Sequence, residues 1–380
     1  MLLWNTFRLN SANPEMRRKA IETLNPSDAR AQELLRSGLC DDDARVRCAA
    51  VKVFAQGKDD KSVEALVVAL HDPSSEVREA AALGLTNTGD DRAQRQLVNL
   101  LKDAQPGVRR AAAGALRGMS WKPSTTEEQA LFDVGLGHAR AAAFAGHAAV
   151  KALVTELKHD TSFQRRAAAE ALEEVDDPRA REPLLAALHD EDPTVRVSAI
   201  HALGKDYDGD VTARLLALFH DADRRVKLAA AEVLAKRAEP ALAANFLGLL
   251  SDGSFEVRLT AVQFLGRVRD PALAKALLPL LADPDSDVRQ AVAQSLGTIG
   301  ASAAIEALVL AMTDEERAVR QSAELALGRI DSNWAYSEAA QRASAQLETF
   351  LNDQRGWVRS AAAMVLAKLQ TPAGSVQAAG

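Results

Sequence analysis

The chain returns to one helical pattern at a nearly fixed step, and that periodicity limits its fold more than any other property. The clearest copy runs from Val288 to Gly300 and reads V-R-Q-A-V-A-Q-S-L-G-T-I-G. With Val288 as position 0, position +1 is basic, +3 and +4 are small and +8 is Leu, the i, i+3, i+4, i+7/8 spacing of one helix face. Position 0 recurs at Val46, Val77, Val108, Val195, Val226, Val257, Val319 and Val358, with weaker copies at Met16, Ala139 and Gln164. Neighbouring copies lie 31 residues apart, except for 30 from Met16 to Val46, 25 from Ala139 to Gln164 and 39 from Val319 to Val358. Twelve copies account for nearly all of the 380 residues. The sequence therefore predicts one elongated array of stacked local units, residues 1–370, rather than two or three globular domains.

Each unit reads as two helices. In Lys61 to Gly89, Val63 to Leu70 supplies the first helix, His71 to Ser75 the turn and Val77 to Leu85 the second. The unit before it has a first helix through Glu33 to Leu39, a turn at Asp41 to Asp43 and a second helix from about Val46 to Ala55. An Asp stands at position −5 in nine units: Asp41, Asp72, Asp103, Asp190, Asp221, Asp252, Asp283, Asp314 and Asp353. It is expected to accept backbone N–H bonds where one helix stops and the next starts. With the Arg at +1 it can also interlock neighbouring turns by charge-assisted hydrogen bonds. An active site is built once from unlike residues, so a feature repeated in most units reads as structure. His71, His159, His189 and His220 stand just before the turn acids. Helix ends about 10 Å apart cannot share one ion with bonds of about 2 Å, so these are read as histidines favoured at helix C-termini.

Two places break the step. Gly135, Gly137, Gly146 and His147 fall where the short unit near 121–150 would carry a Leu-rich helix, and a kink is expected there. The long unit carries an insertion near 331–338. Trp121, Trp334 and Tyr336 sit in these departures, where core packing does not call for an aromatic; at least one is expected to be a protein contact or a lid over an insertion. Residues 1–12, with Trp4 and Phe7, are read as a cap on the open end of the stack, and 371–380 as a disordered tail.

Composition narrows the rest. Apolar residues make up 47% but aromatics only 4%, so the interior is built from Ala, Leu and Val in closely packed helices, with almost no strand expected. The net charge of −6, from 46 basic and 52 acidic residues, argues against phosphate neutralisation as the main task. Cys40 and Cys48 have no second pair to complete a metal site and read as small buried side chains. The sequence offers no leader-like segment at its start and no run of about 18 apolar residues, so membrane insertion is not expected and a cytoplasmic location is.

The pattern V-R-x-x-A-A-x-x-L-G with an Asp-Pro turn resembles HEAT repeats, in particular the short units named after phycobilisome bilin lyases, over residues 13 to 370. The resemblance implies an all-α fold, a right-handed α-solenoid (superhelix) of about twelve HEAT-like helical hairpins whose second helices line the concave side. Such hairpins serve scaffolds, adaptors, chromophore lyases, alkylpurine DNA glycosylases and a di-iron hydroxylase, so the resemblance alone does not give an activity. The hydroxylase uses repeated His-Glu dipeptides, and this chain has none. The glycosylases need a basic aromatic groove, which a net acidic chain with four Trp and two Tyr does not offer. No phosphate-binding, dinucleotide, zinc-protease or nucleophile-elbow motif is present, and no catalytic, cofactor or metal residue is assigned.

What remains is surface. Positions +2, +6 and +9 point away from the packed face of the second helix. Position +2 is aliphatic in three consecutive units, at Val197, Leu228 and Leu259, flanked at +6 by His201, Glu232 and Gln263. The reading is a non-enzymatic scaffold or adaptor that presents these residues in a concave groove to a protein or peptide partner. The alternatives are a bilin lyase-like or chaperone-like subunit acting on a client that carries a prosthetic group, and a nucleic-acid-binding protein.

Overall fold

A computed structural model describes residues 8–57, 59–86, 88–206 and 208–370. Trp4, Phe7 and the tail from 371 to 380 lie outside the described residues. The chain groups by its contacts into Met1–Leu203 and Gly204–Gly380. Both parts are all-α stacks of helical hairpins, and no strand occurs among the described residues.

The local logic is plainest in the Val288 unit of the second part. Its first arm is a run of short turns, Pro271–Leu273, Ala274–Leu277 and Leu278–Ala282, with Pro at the head of two of them, where a missing N–H costs nothing. The second helix is Ser286–Ile299. Asp285, at position −3, caps it by accepting hydrogen bonds from the N–H groups of Asp287 and Val288. The cap thus stands two residues later than the −5 aspartate that the sequence marked. Asp283 instead accepts the Asp285 N–H at 2.9 Å and shapes the turn. The same −3 position caps with Asp43, Asp192 and Asp223, so second helices begin before position 0.

Four of the second helices end at +12 with a residue of positive φ: Asp176 at 50°, Ala238 at 53°, Arg269 at 58° and Gly300 at 74°. Only Gly300 adopts that conformation freely. The left-handed region costs other L-residues roughly 1–2 kcal/mol, and glycine loses roughly 0.5–1 kcal/mol of chain entropy. Ala238→Gly is therefore expected to raise stability by about 0.5–1 kcal/mol in chemical denaturation; a loss would mean the C-cap is not strained.

Burial follows the period. Val288, Ala291, Val292, Ala293, Leu296 and Ile299 are buried in the second helix, while Asp287, Gln294 and Thr298 are exposed and Gln290 is half-buried. In the second part Arg224–Arg237 packs on Phe255–Val268, that helix on Ser286–Ile299, and that one on Arg317–Ile330. Gly297 permits the last approach, because a Cβ there would lie 2.7 Å from the Ala326 backbone. Aromatics are few, but three meet: Phe246 stacks on Phe264 at 3.9 Å and meets Phe219 edge-on at 5.3 Å.

In the first part the second helices Pro14–Glu22, Ala44–Phe54, Ser75–Gly84 and Pro106–Gly118 pack in succession. The following unit shortens its second helix to Ala139–Ala143 and continues as a 3-10 turn, Gly146–Ala148. Gly137 (φ 81°) and Gly146 (φ 58°) bend the chain on either side, which is the physical content of the kink expected there. The insertion in the second part forms a 3-10 turn, Trp334–Tyr336, and an extra helix, Glu338–Arg342, so it runs past residue 338. The extra helix packs on Ile305–Ala311, and the turn touches both Arg317–Ile330 and Gly356–Gln370.

Candidate binding surface

The hairpins are tied by a ladder of guanidinium–carboxylate pairs. Arg289 donates from Nε and Nη2 to Asp314 at 2.8 and 3.0 Å, while its Nη1 donates to the carbonyls of Asp283 and Pro284 at 2.8 and 3.3 Å. One side chain thereby fixes its own turn and the next unit. In the second part Arg258–Asp283 repeats the rung and Lys227–Asp252 substitutes an ammonium for it. The first part has Arg17–Asp41, Arg47–Asp72, Arg78–Asp103 and Arg165–Asp190.

The carboxylates titrate accordingly. Arg17 holds Asp41 below its ordinary value; at Asp72, Asp252 and Asp283 burial pushes upward, but the bonds from Arg47, Lys227 and Arg258, with a backbone N–H bond and nearby positive charge, together bring the net shift down. Asp43, Asp90 and Asp353 are lowered to about 2, each chiefly by an arginine two residues on. A depressed folded-state value stabilises the fold above the unfolded pKa and is lost as pH falls through the folded one. The urea midpoint is expected to stay flat from pH 7 to about 5 and to fall steeply between about pH 4 and 2. A midpoint that rises on acidification would contradict the ladder.

Three departures matter. Arg109 crosses the short unit and pairs with Glu156, and both side chains are buried. His159 takes the place of the −5 aspartate rather than preceding it: its Nδ1 accepts the Thr161 N–H at 3.1 Å, and the Arg165 Nη1 donates to its carbonyl at 2.9 Å. Burial pushes the His159 pKa down, so the ring acts as a neutral acceptor there. Arg320 makes the carbonyl half of a rung, to Asp314 and Glu315 at 2.6 and 2.8 Å, but among the described residues no carboxylate completes it. Asp353, at −5 of the next unit, is taken by Arg355 at 3.0 and 3.1 Å.

The outward ridge of the second helices follows positions −1, +2, +6 and +10; position +9, expected on it, is buried at Ala235, Gly266 and Gly297, where neighbouring helices pack closely. Leu228 and Leu259 are half-buried on adjacent helices, beside exposed Glu232 and Gln263. Val197 is half-buried and His201 exposed on the first part. Trp121 is half-buried, edge-on to Phe132 at 5.5 Å. Trp334 is buried beneath the insertion at 9% exposure, whereas Tyr336, two residues on, is 42% exposed. More exposed apolar side chains occupy +6: Leu83 at 57%, Leu325 at 64% and Met364 at 62%. Their sequence signal is the +6 offset taken along every unit, which the three aliphatic +2 positions do not reach. Phe144 at 89% and Phe163 at 61% flank the short unit and carry no periodic signal.

Among the described residues no group of His, Cys, Asp or Glu could hold a metal ion, and no helix is long and apolar enough to cross a membrane. Cys40 is exposed and Cys48 half-buried, so the first is not the buried side chain expected of it.

Stacked hairpins, a shared ladder and an outward ridge define an α-helical repeat protein. The chain belongs to the HEAT repeats: the model of that family matches residues 6–81, 63–131, 150–235, 211–289, 242–328 and 274–367. No curated protein matches it. Among solved structures it is similar to the crystal structure of an engineered protein, at 22% identity over 97% of this chain and 99% of that one, with a TM-score of 0.34. It is also similar to the X-ray structure of the Escherichia coli protein YibA, at 16% identity over 76% of this chain and 97% of that one, with a TM-score of 0.36.

Proposed function

We propose that the chain is a cytoplasmic, non-enzymatic scaffold whose repeats form one array and whose second-helix ridge holds a protein or peptide partner. The observation that carries this reading is the ridge itself. Leu228 and Leu259, half-buried on one pair of adjacent helices, and exposed Leu325 further along the same part place aliphatic side chains within reach of solvent. Glu232, Gln263, Gln290 and Gln294 stand beside them as polar contacts. Val197, His201, Trp121 and Tyr336 complete the proposed set, with Tyr336 the most accessible of its aromatics for contact, while buried Trp334 is withdrawn from it. HEAT repeats commonly mediate protein interactions, and the short 31-residue step favours the phycobilisome-lyase type of repeat among them.

Leu228→Ser tests the ridge. Because the side chain is half-buried, the substitution is expected to cost about 1 kcal/mol or less, well under the 2–5 kcal/mol of a core leucine. Capture of a protein from the native host, read by mass spectrometry with wild-type and variant chains, is expected to lose its recurrent partner. A sharp fall in melting temperature, or unchanged capture, sinks the ridge as a binding site.

A further inference from the structure

His159 is 6% exposed, and burial favours its neutral ring. The Thr161 backbone N–H points at Nδ1 from 3.1 Å, so Nδ1 carries the lone pair and the ring proton sits on Nε2. The atom that meets Nε2 is Arg110 Nη2, at 3.3 Å, and a guanidinium nitrogen can only donate. Two donors therefore converge with no protein acceptor between them. Among the described residues no carboxylate pairs with Arg110, which is exposed, and the Asp160 side chain, next to His159 in the chain, bonds to neither donor. Glu156 is taken by Arg109.

We propose that Arg110 and His159 form a seat for a carboxylate, one oxygen of which accepts from both nitrogens. The regular units show what belongs at this place. His159 stands at −5, where Asp190 in the next unit takes the Arg165 guanidinium at 2.7 and 2.8 Å. Here the acid is replaced by a ring whose free edge donates. An oxygen about 2.8 Å from each of two nitrogens that lie 3.3 Å apart makes two ordinary hydrogen bonds. Thr161, the N-cap of Ser162–Val175, makes no side-chain capping bond, so the positive end of that helix adds to the guanidinium charge. A water molecule would accept from both nitrogens but leave the Arg110 charge uncompensated, whereas one carboxylate balances it. The ring is set before a ligand arrives, because Thr161 holds Nδ1 and Arg165 Nη1 donates to the His159 carbonyl at 2.9 Å. Arg110 occupies position +2 of the ridge, but the seat uses none of the aliphatic residues there and does not rest on the scaffold reading.

The test is nuclear magnetic resonance of the full chain labelled with 15N-histidine and 15N-threonine, in which sodium acetate replaces sodium chloride at constant ionic strength. His159 is expected to show the Nε2–H tautomer, and acetate to shift its Nε2 signal saturably. Arg110→Gln should weaken acetate binding about tenfold. His159→Asp, which restores the regular acid, should close the seat, as read at the Thr161 amide that both variants keep. A blocked tripeptide with a central Asp that binds more tightly than acetate assigns the seat to an acidic side chain of a partner, and one that binds more weakly assigns it to a free acid. Leu228→Ser should leave the acetate response unchanged, so the seat and the ridge fail separately. An Nδ1–H tautomer, no response to acetate over chloride, or indifference to Arg110→Gln overturns the seat. So does an acetate response that appears only in Asp160→Asn, which would mean that Asp160 already fills it.

Discussion

Replacing Phe246 by Ala is expected to remove about 3–5 kcal/mol of stability. Phe246 is fully buried on Ala243–Leu249 and bridges two units, stacked on Phe264 of its own second helix and edge-on to Phe219 of the unit before. In a chain with 4% aromatic residues, this is the bulkiest knot of the second part, and the small surrounding Ala and Leu side chains have little reach to collapse into the hole. Repeat arrays fail locally, so hydrogen exchange should speed up first around residues 209–268. A change below about 1 kcal/mol would show that the site refills and that the aromatic contact is dispensable.

Glu156→Ala is expected to be as damaging, about 3–5 kcal/mol, by a different route. Arg109 is 4% exposed, and its Nε and Nη2 donate to the Glu156 carboxylate in a buried site. Removing the acid leaves a cation partly satisfied by the carbonyls of Asp103 and Ala104 at 2.8 and 3.1 Å, but with its charge uncompensated. Replacing Arg109 and Glu156 together by Leu should restore most of the loss, because two apolar side chains avoid the desolvation of both ions. If the double variant loses the sum of the two single losses, the pair is not coupled, which a double-mutant cycle in urea reads directly.

These two sites also mark how far the sequence could be read. The 31-residue period announces the hairpins, the buried Val, Ala and Leu face, and the Arg–Asp rungs, because each depends on residues at fixed offsets in neighbouring units. The cap at −3 is obscured by a turn holding several acids, as in Asp41, Asp42 and Asp43, where only geometry separates the residue that shapes the turn from the one that starts the helix. The Arg109–Glu156 pair spans 47 residues across the short unit, and no offset in the regular pattern predicts it. Trp334 stands outside the periodicity, which leaves it open between a contact and a lid over the insertion; the inserted turn that carries it packs on Arg317–Ile330, Glu338–Arg342 and Gly356–Gln370, and Trp334 is buried.

Because one guanidinium addresses both its own turn and the following one, every regular unit offers the same pair of joints. Excising residues 258 to 288 would set Arg289 directly after Val257, with the carbonyls of Asp252 and Gly253 on one side and Asp314 on the other. Inserting a copy of that stretch would likewise meet matching ends. Gene duplication and unequal crossover can thus change the number of regular units without inventing an interface. The stretch between Arg109 and Glu156 has no such freedom and is inherited whole, so differences in length among related chains should collect in the regular units on either side of it.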